Sequence, residues 1–355
     1  MKRILIILIF LYSFTYEDYH ATDEPEVEEE PVLNPTPLDL QDLAQDFVLE
    51  TKQIRVEGFP TAFNPSIVKW RGSYLMSFRI RDNKTGSTDK VGLTWLDESF
   101  NPIGKPYILE LHIEQPALIS KVQDPRLICI DGRLYMVYTN MIYKDEFFRE
   151  LKRVYLGEII FEDNRFHVTA CECLYRYKNE NDRWEKNWTP FEYKGQLLLA
   201  YSLAPHRILW PIRGTRECQE FASSNPVIDW DWGTLRGGTQ ALLDGDHYLG
   251  FFHSSKVIAT KNSDEKSMQH YFMGAYTFSA QPPFQITKIS SGPIVGENFY
   301  RGPAHKTWKP LRVVFPQGLL IEDNLVWVFY GRQDHEIWVA KIDKQRLLDS
   351  LVPVK

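Results

Sequence analysis

The chain has 355 residues, 43% of them hydrophobic, and a formal net charge of −6 at pH 7. Its length suits one large domain or two ordinary ones. Residues 22–37 hold six acids (Asp23, Glu24, Glu26, Glu28, Glu29, Glu30) and no base, while Lys2 and Arg3 balance Glu17 and Asp18 in residues 1–21. The body, residues 38–355, is therefore neutral, and with no basic cluster it argues against a nucleic-acid partner.

In chain order, the first element is Lys2-Arg3 followed by the apolar run "ILIILIFLYSF" at residues 4–14. The run is too short to span a bilayer comfortably. It fits a secretory signal over residues 1–21, ending at Ala21, although Tyr19 occupies a position where a small residue is preferred. Export, to the periplasm or the outside, is the expectation. If the signal is not cleaved, residues 4–14 would serve as a membrane tether. The acidic, proline-rich residues 22–37 read as a disordered spacer.

From residue 38 onward one pattern repeats. "NPSIVKWRGSYLMSFRIRD" begins at Asn64, "DPRLICIDGRLYMVYTN" at Asp124 and "NWTPFEYKGQLLLAYSL" at Asn187. "GGTQALLDGDHYLGFFHSS" begins at Gly237 and "FPQGLLIEDNLVWVFYGRQD" at Phe315. Each has a polar or small lead, an apolar run, a tight turn and a second run rich in Tyr and Phe. This is a β-hairpin pattern, with turns at Arg71-Gly72, Asp131-Gly132, Lys194-Gly195, Asp244-Gly245 and Asp323-Asn324. Five such units at intervals of roughly 50–80 residues predict an all-β, five-bladed β-propeller as a single domain over 38–355. Helices are expected only at "LDLQDLAQDF" (38–47) and "DKQRLLDSL" (343–351). A β-sandwich with similar turns is the competing architecture.

In a propeller the leads converge on the central axis. They contain Asn64, Asp124 with Arg126, Lys186 with Asn187, Arg236 with two glycines, and Gln317. The hairpin ends add Arg79, His253, Arg332, Asp334 and His335. Polar groups gathered at an axis must satisfy one another or line a polar pocket. Residues two apart in an extended chain share a side, which would set Arg126 beside Asp124. Asp124 then either caps its turn and pairs with Arg126, or serves as an acid while Arg126 aims elsewhere. Tyr271 and His253 are compatible with strand packing or with substrate contact. Trp184, Trp188, Trp230 and Trp232 lie in loop-like stretches and suit either sugar stacking or capping of the blades.

The four cysteines, Cys129, Cys171, Cys173 and Cys218, form no CxxC pair, and His and Cys spacing offers no metal site. Cys171 and Cys173 would share a strand face, and in an exported protein one disulfide through Cys218 is compatible with the sequence. No phosphate-cradling glycine loop, HExxH or GxSxG motif occurs.

Six motifs taken in order resemble glycoside hydrolase family 130, the mannoside phosphorylases and β-mannosidases, together with related β-mannosyltransferases. They are "FNPSIVKWRGSYLMSFRI", "QDPRLICIDGRLYMVYT", "EKNWTPF", "YLGFFHS", "YFMGAYTF" and "RVVFPQGLLIEDNLVWVFYGRQD", spread over about residues 55–342. The resemblance implies a five-bladed propeller acting on an oligosaccharide or glycan, with Asp124 as proton donor. It implies Asn64, Arg79, Arg126, Asn187, Arg236, Tyr271, Asp334 and His335 on the sugar, and Lys186 and His253 on the acceptor or phosphate side. In phosphorylase members the proton is thought to pass through a mannose hydroxyl, and phosphate attacks the opposite face with inversion. Phosphate as nucleophile removes the need for a second carboxylate but needs cationic ligands. No metal or organic cofactor is implied; inorganic phosphate is a co-substrate for a phosphorylase.

The chain departs from the family pattern at "RGGTQALL", "RGPAHKTWKP" and "YGRQDH", which leaves hydrolysis and glycosyl transfer open. The arabinan-active propeller hydrolases, for which Glu185 or Glu297 would supply an acid, fit the motifs less well. A sugar-binding propeller without chemistry is the non-enzymatic alternative.

Overall fold

The structure is a computed structural model that describes residues 37–81, 89–111, 120–143, 150–176, 185–303, 305 and 309–355. The signal or tether, all but Pro37 of the acidic spacer, and Trp184 lie outside the described residues.

The described chain is all-β and arranged as a propeller of small sheets. Four sheets have four strands each, and a larger one has seven. Sheet I runs outward from Phe63–Trp70, sheet II from Ser120–Ile130, and sheet III from Thr189–Tyr193. Sheet IV, the seven-stranded one, is built on the long pair His247–Ile258 and Met268–Ser279. Sheet V starts from Val314–Glu322 and ends on Val48–Ile54, so the first long strand of the body closes the last sheet. The innermost strands touch in a ring: I against II, II against III, III against Leu242–Asp244 of IV, IV against V, and V against I.

The hairpin turns follow from residue chemistry. Arg71-Gly72, Asp131-Gly132 and Lys194-Gly195 have positive φ at both positions, between 48° and 79°, which matches the right-handed strand twist. In sheet IV the strand keeps Asp244, and the turn begins one residue later than expected, at Gly245.

Sheet IV is larger because short distant segments join it. Leu311–Arg312 pairs parallel with Gln269–His270, and Leu351–Pro353 pairs with Lys288–Ser290. The first expected helix shortens to a 3-10 turn, Leu40–Leu43, since Leu40 is buried, its N–H binds Asn262 Oδ1 at 2.8 Å, and Gln45 binds Val295. The second forms as an α-helix over Lys344–Ser350, capped by the Asp343 carboxylate at 3.0 Å from Arg346 N.

Apolar side chains fill the gaps between sheets. One core joins IV and V through Phe251, Phe272, Val314 and Tyr330, and another joins I and II through Trp70, Leu127 and Phe166. Among the described residues no disulfide joins the four cysteines; Cys171 and Cys173 lie in the I–II core and Cys218 in a separate one.

Sheets V and I meet flush at Gly318, where a Cβ would lie 2.9 Å from Ser66 Cα and 2.9 Å from Ile67 N. Gly318→Ala is therefore expected to cost about 1–3 kcal/mol of stability by overpacking. Gly292→Ala, where a Cβ meets nothing within 4 Å, should be neutral or stabilising by up to about 1 kcal/mol. Urea titrations of the two variants check the contrast.

Candidate active site

The site is built at the end of the ring where the leads enter. Asn64 (φ 49°), Asp124 (φ 54°) and Asn187 (φ 62°) all adopt the left-handed conformation, which Asn and Asp tolerate better than other side chains that bear a Cβ. Strand register breaks at the same places, between Phe63 and Ser66 in sheet I and between Gln123 and Arg126 in sheet II. These are β-bulges, and they re-aim the side chains at the axis.

The bulge at Asp124 changes the expected relation with Arg126. In an unbroken strand the two would point together. Here the left-handed residue turns the carboxylate toward sheet I, where Oδ1 accepts from Asn64 Nδ2 at 2.8 Å and faces Arg79 Nη1 at 3.5 Å. Arg79 also packs over the buried Phe63 ring. Arg126 goes the other way. Its guanidinium, 1% exposed, donates to Gly238 O at 2.6 Å, Asp124 O at 3.1 Å, Gly237 O at 3.3 Å and Asn187 Oδ1 at 3.5 Å. Burial pushes it down to about 10, so it stays charged at neutral pH. Arg126 therefore ties sheet II to the leads of sheets III and IV through neutral oxygens.

The glycines of "RGG" have a physical reason in this contact. A Cβ on Gly237 would lie 2.3 Å from Asn187 O, and one on Gly238 would lie 2.5 Å from Phe251 O. Only glycine lets these backbones approach closely enough to present their carbonyls to Arg126.

Beside the axis is a cleft of about 340 Å³ lined by Glu185, Lys186, Trp188, Tyr201, Arg236 and Gly237, among others. Burial pushes Lys186 down to about 8, with Lys152, Arg236 and Arg79 adding repulsion and Asp124 opposing. Lys152, on the third strand of sheet II (Glu150–Glu162), is a cation the motifs do not mark. Its carbonyl accepts from Glu185 N at 3.0 Å, which places it near Lys186.

Arg236 is exposed and lies opposite His253 in register. His253 is 2% exposed, stacks on Tyr271 and packs against Phe315. Burial first, then Arg126 and Lys186, holds its imidazole well below the usual range, so it is neutral. Its Nδ1 has no hydrogen-bond partner among the described residues. Burial, then the nearby Asp334 charge, raises the Tyr271 hydroxyl. Asp334, at φ 49°, sits half-buried in the turn between two strands of sheet V.

Other candidates have contacts of their own. His335 stacks on His305 with centroids 4.0 Å apart, and burial and His305 keep it below its ordinary value. Arg332 donates to Glu336 at 2.6 Å and to Asn298 O at 2.7 Å, and so braces the turn bearing Asp334. Trp188 is 1% exposed and donates to Glu185, while Trp230 and Trp232 pack edge-on against Phe252 and Phe272. These three close the sheet gaps rather than offer stacking faces. Glu185 is engaged by Trp188 and Tyr201, and Glu297 is exposed with its carbonyl bound to Thr51. Among the described residues no group of three or more His, Cys, Asp or Glu is placed to hold a metal.

No family model matches the chain. A 1,2-beta-oligomannan phosphorylase from Thermoanaerobacter sp. (strain X514) is 20% identical over 305 residues, 79% of this chain and 89% of that protein. The β-1,2-mannobiose phosphorylase from Listeria innocua superposes with a TM-score of 0.55 at 14% identity, over 89% of this chain and 97% of that one. The mannose phosphorylase MPT-4 from Leishmania mexicana, solved with a phosphate ion, gives a TM-score of 0.55 at 13% identity, over 88% and 93%. At these identities the structural likeness is one of fold. All three agree with the resemblance that the ordered motifs carry.

The left-handed backbone at Asp124 makes a prediction that does not depend on chemistry. Asp124→Asn keeps both the conformation and an acceptor for Asn64 but loses the Arg79 ion pair, and its urea midpoint should fall less than that of Asp124→Ala. Asp124→Ala loses both and is expected to cost about 1–3 kcal/mol.

Proposed function

We propose that this chain is an enzyme that cleaves β-mannosidic bonds by inverting phosphorolysis, releasing mannose 1-phosphate, with Asp124 as proton donor. The observation that carries this reading is the pairing of one carboxylate at the axis with a cationic cleft next to it. Asp124 presents its carboxyl where all the leads converge. Lys186, Arg236 and Lys152 are close enough to one another to depress the Lys186 ammonium. Such a cluster suits an oxyanion nucleophile, and an anion bound there would relieve the repulsion. Glu185, the carboxylate of that cleft, already accepts from Trp188 and Tyr201. The curated relative and both solved phosphorylases support the same class of reaction.

In this reading Asn64 and Arg79 orient the acid. Tyr271 and Asp334 hold the sugar from the side of sheets IV and V. Lys186 and Arg236 receive the phosphate, and neutral His253 offers a hydrogen bond rather than a charge. The phosphate oxygen attacks the anomeric carbon as the bond to the leaving sugar oxygen breaks. That oxygen takes the Asp124 proton, by way of a mannose hydroxyl. Arg126 and Asn187 act on the frame. We read the seven-stranded sheet as the fifth blade, enlarged by its two added edge segments.

Incubation of the full chain with β-mannooligosaccharides, with and without inorganic phosphate, tests the proposal. Mannose 1-phosphate should form only with phosphate, and Asp124→Asn should lower kcat by at least about a hundredfold. Free mannose made equally with or without phosphate would replace this reading with hydrolysis. Glycan binding without turnover, unchanged in Asp124→Asn, would replace it with a binding module.

The Lys186 ammonium is charged below about pH 8 and loses its charge as pH rises through that value. The KM for phosphate is therefore expected to climb above pH 8 in wild type. In Lys186→Met it should be high at every pH and lack that inflection. Initial rates across pH 6.5–9.5 check it.

A further inference from the structure

Two glutamines cross the middle of the ring, and one of them reaches the bulges that carry the acid. Gln317 is fully buried. Register between its strand and the next breaks from Pro316 to Gly318, which makes Gln317 the bulged residue of sheet V. The flush contact at Gly318 brings that strand against Ser66 and Ile67 of sheet I. From there the Gln317 side chain passes sheet I and reaches sheet II. Its Nε2 donates to Pro125 O at 2.6 Å and to Asn64 O at 3.0 Å.

Those two carbonyls are well placed to matter. Pro125 follows Asp124 directly. Asn64 is the residue whose amide holds the Asp124 carboxylate at 2.8 Å. One nitrogen thus pins both left-handed bulges, while a second donor to Pro125 O, Ser77 Oγ, is longer at 3.4 Å. We propose that Gln317 is a positioning residue that sets the Asp124 carboxyl in its working place by fixing the bulges of sheets I and II against each other.

The fold supplies its own control. Gln240, 1% exposed, makes the same kind of double contact, from Nε2 to Ile67 O and Leu319 O, both at 2.9 Å. Those acceptors lie along regular strand, past the bulges. Among the described residues, both glutamines also leave Oε1 buried without a partner. Removing either amide therefore breaks two buried bonds across sheets, but only Gln317 touches the acid's own frame.

The test compares Gln317→Met with Gln240→Met in the full chain. Methionine keeps length and bulk and removes the donors. Both variants should lose stability to a similar degree. Displacing a catalytic group by about an ångström can cost about a hundredfold in rate. Gln317→Met is therefore expected to lose about tenfold to a hundredfold in kcat, with KM for mannoside and for phosphate little changed. Gln240→Met should stay within about twofold of wild type. If the two variants lose kcat equally, Gln317 is a structural pin and the proposal is overturned. Should Gln317→Met fail to fold, Gln317→Asn carries the same expectation, since it keeps a donor but is one methylene too short to span both carbonyls.

The kinetic comparison rests on the phosphorylase reading, so a second readout stands apart from it. Wild type without turnover on any mannoside would count against that reading alone. Crystal structures of the two methionine variants would still decide the positioning claim. In Gln317→Met the Asn64 Nδ2–Asp124 Oδ1 contact should open from 2.8 Å, and in Gln240→Met it should hold. An unchanged contact in both overturns the claim.

Discussion

The structure depends on a buried positive charge whose hydrogen bonds go to neutral oxygens. Arg126 sits at the axis with its N–H groups given to main-chain and amide oxygens of three sheets. A guanidinium out of water is costly unless its donors are met. Meeting them with carbonyls rather than with Asp124 has two consequences. The leads of sheets II, III and IV are drawn together, which fixes half of the ring. The Asp124 carboxylate is left to turn toward Asn64, Arg79 and the open end of the axis. On the opposite half, Gln317 ties sheet V to I and II by the same means, side-chain N–H to backbone carbonyl. The close approaches at Gly237, Gly238 and Gly318 allow both sets of contacts.

Charge is distributed to match. The body is neutral as a whole, yet Arg79, Lys186 and Arg236 gather at one end, with Lys152 behind them. A cleft with low-dielectric walls focuses such a field. In the proposed reaction Asp124 at its inner edge would supply a proton for the leaving oxygen, and the cations along its side a seat for the attacking anion. Sheets IV and V contribute neutral His253, which can offer a hydrogen bond on the phosphate side, and Tyr271 with Asp334, which suit a sugar ring better than an anion.

Much of this was legible in the sequence, for local reasons. Turns such as Asp131-Gly132 and Lys194-Gly195 allow little but a tight hairpin, and the repeated leads marked Asn64, Asp124, Lys186 and Asn187 as residues that would meet. The bulges were not legible. Asn-Pro and Asp-Pro suggest a bend, but alternation placed Arg126 beside Asp124, and one left-handed residue was enough to separate them. Lys152 carries no local signal, because a backbone bond from Glu185, distant in sequence, places it near Lys186. The four similar blades followed from hairpin periodicity. The enlargement of sheet IV did not, since Leu311–Arg312 and Leu351–Pro353 are too short to show a strand pattern. By composition the loop tryptophans suited either sugar stacking or capping of the blades. Burial of Trp188 and the packing of Trp230 and Trp232 show that they fill gaps between sheets.

The proposed phosphorolysis requires an acid and an anion seat at adjacent positions at one end of the ring. The most direct measurement is a crystal structure of the full chain grown with inorganic phosphate and a β-mannobiose, using Asp124→Asn to halt turnover. The account predicts phosphate within hydrogen-bond distance of Lys186 Nζ, and the mannose ring between it and residue 124. Phosphate bound away from Lys186 and Arg236, or a sugar seated where residue 124 cannot reach its glycosidic oxygen or an adjoining hydroxyl, would contradict it.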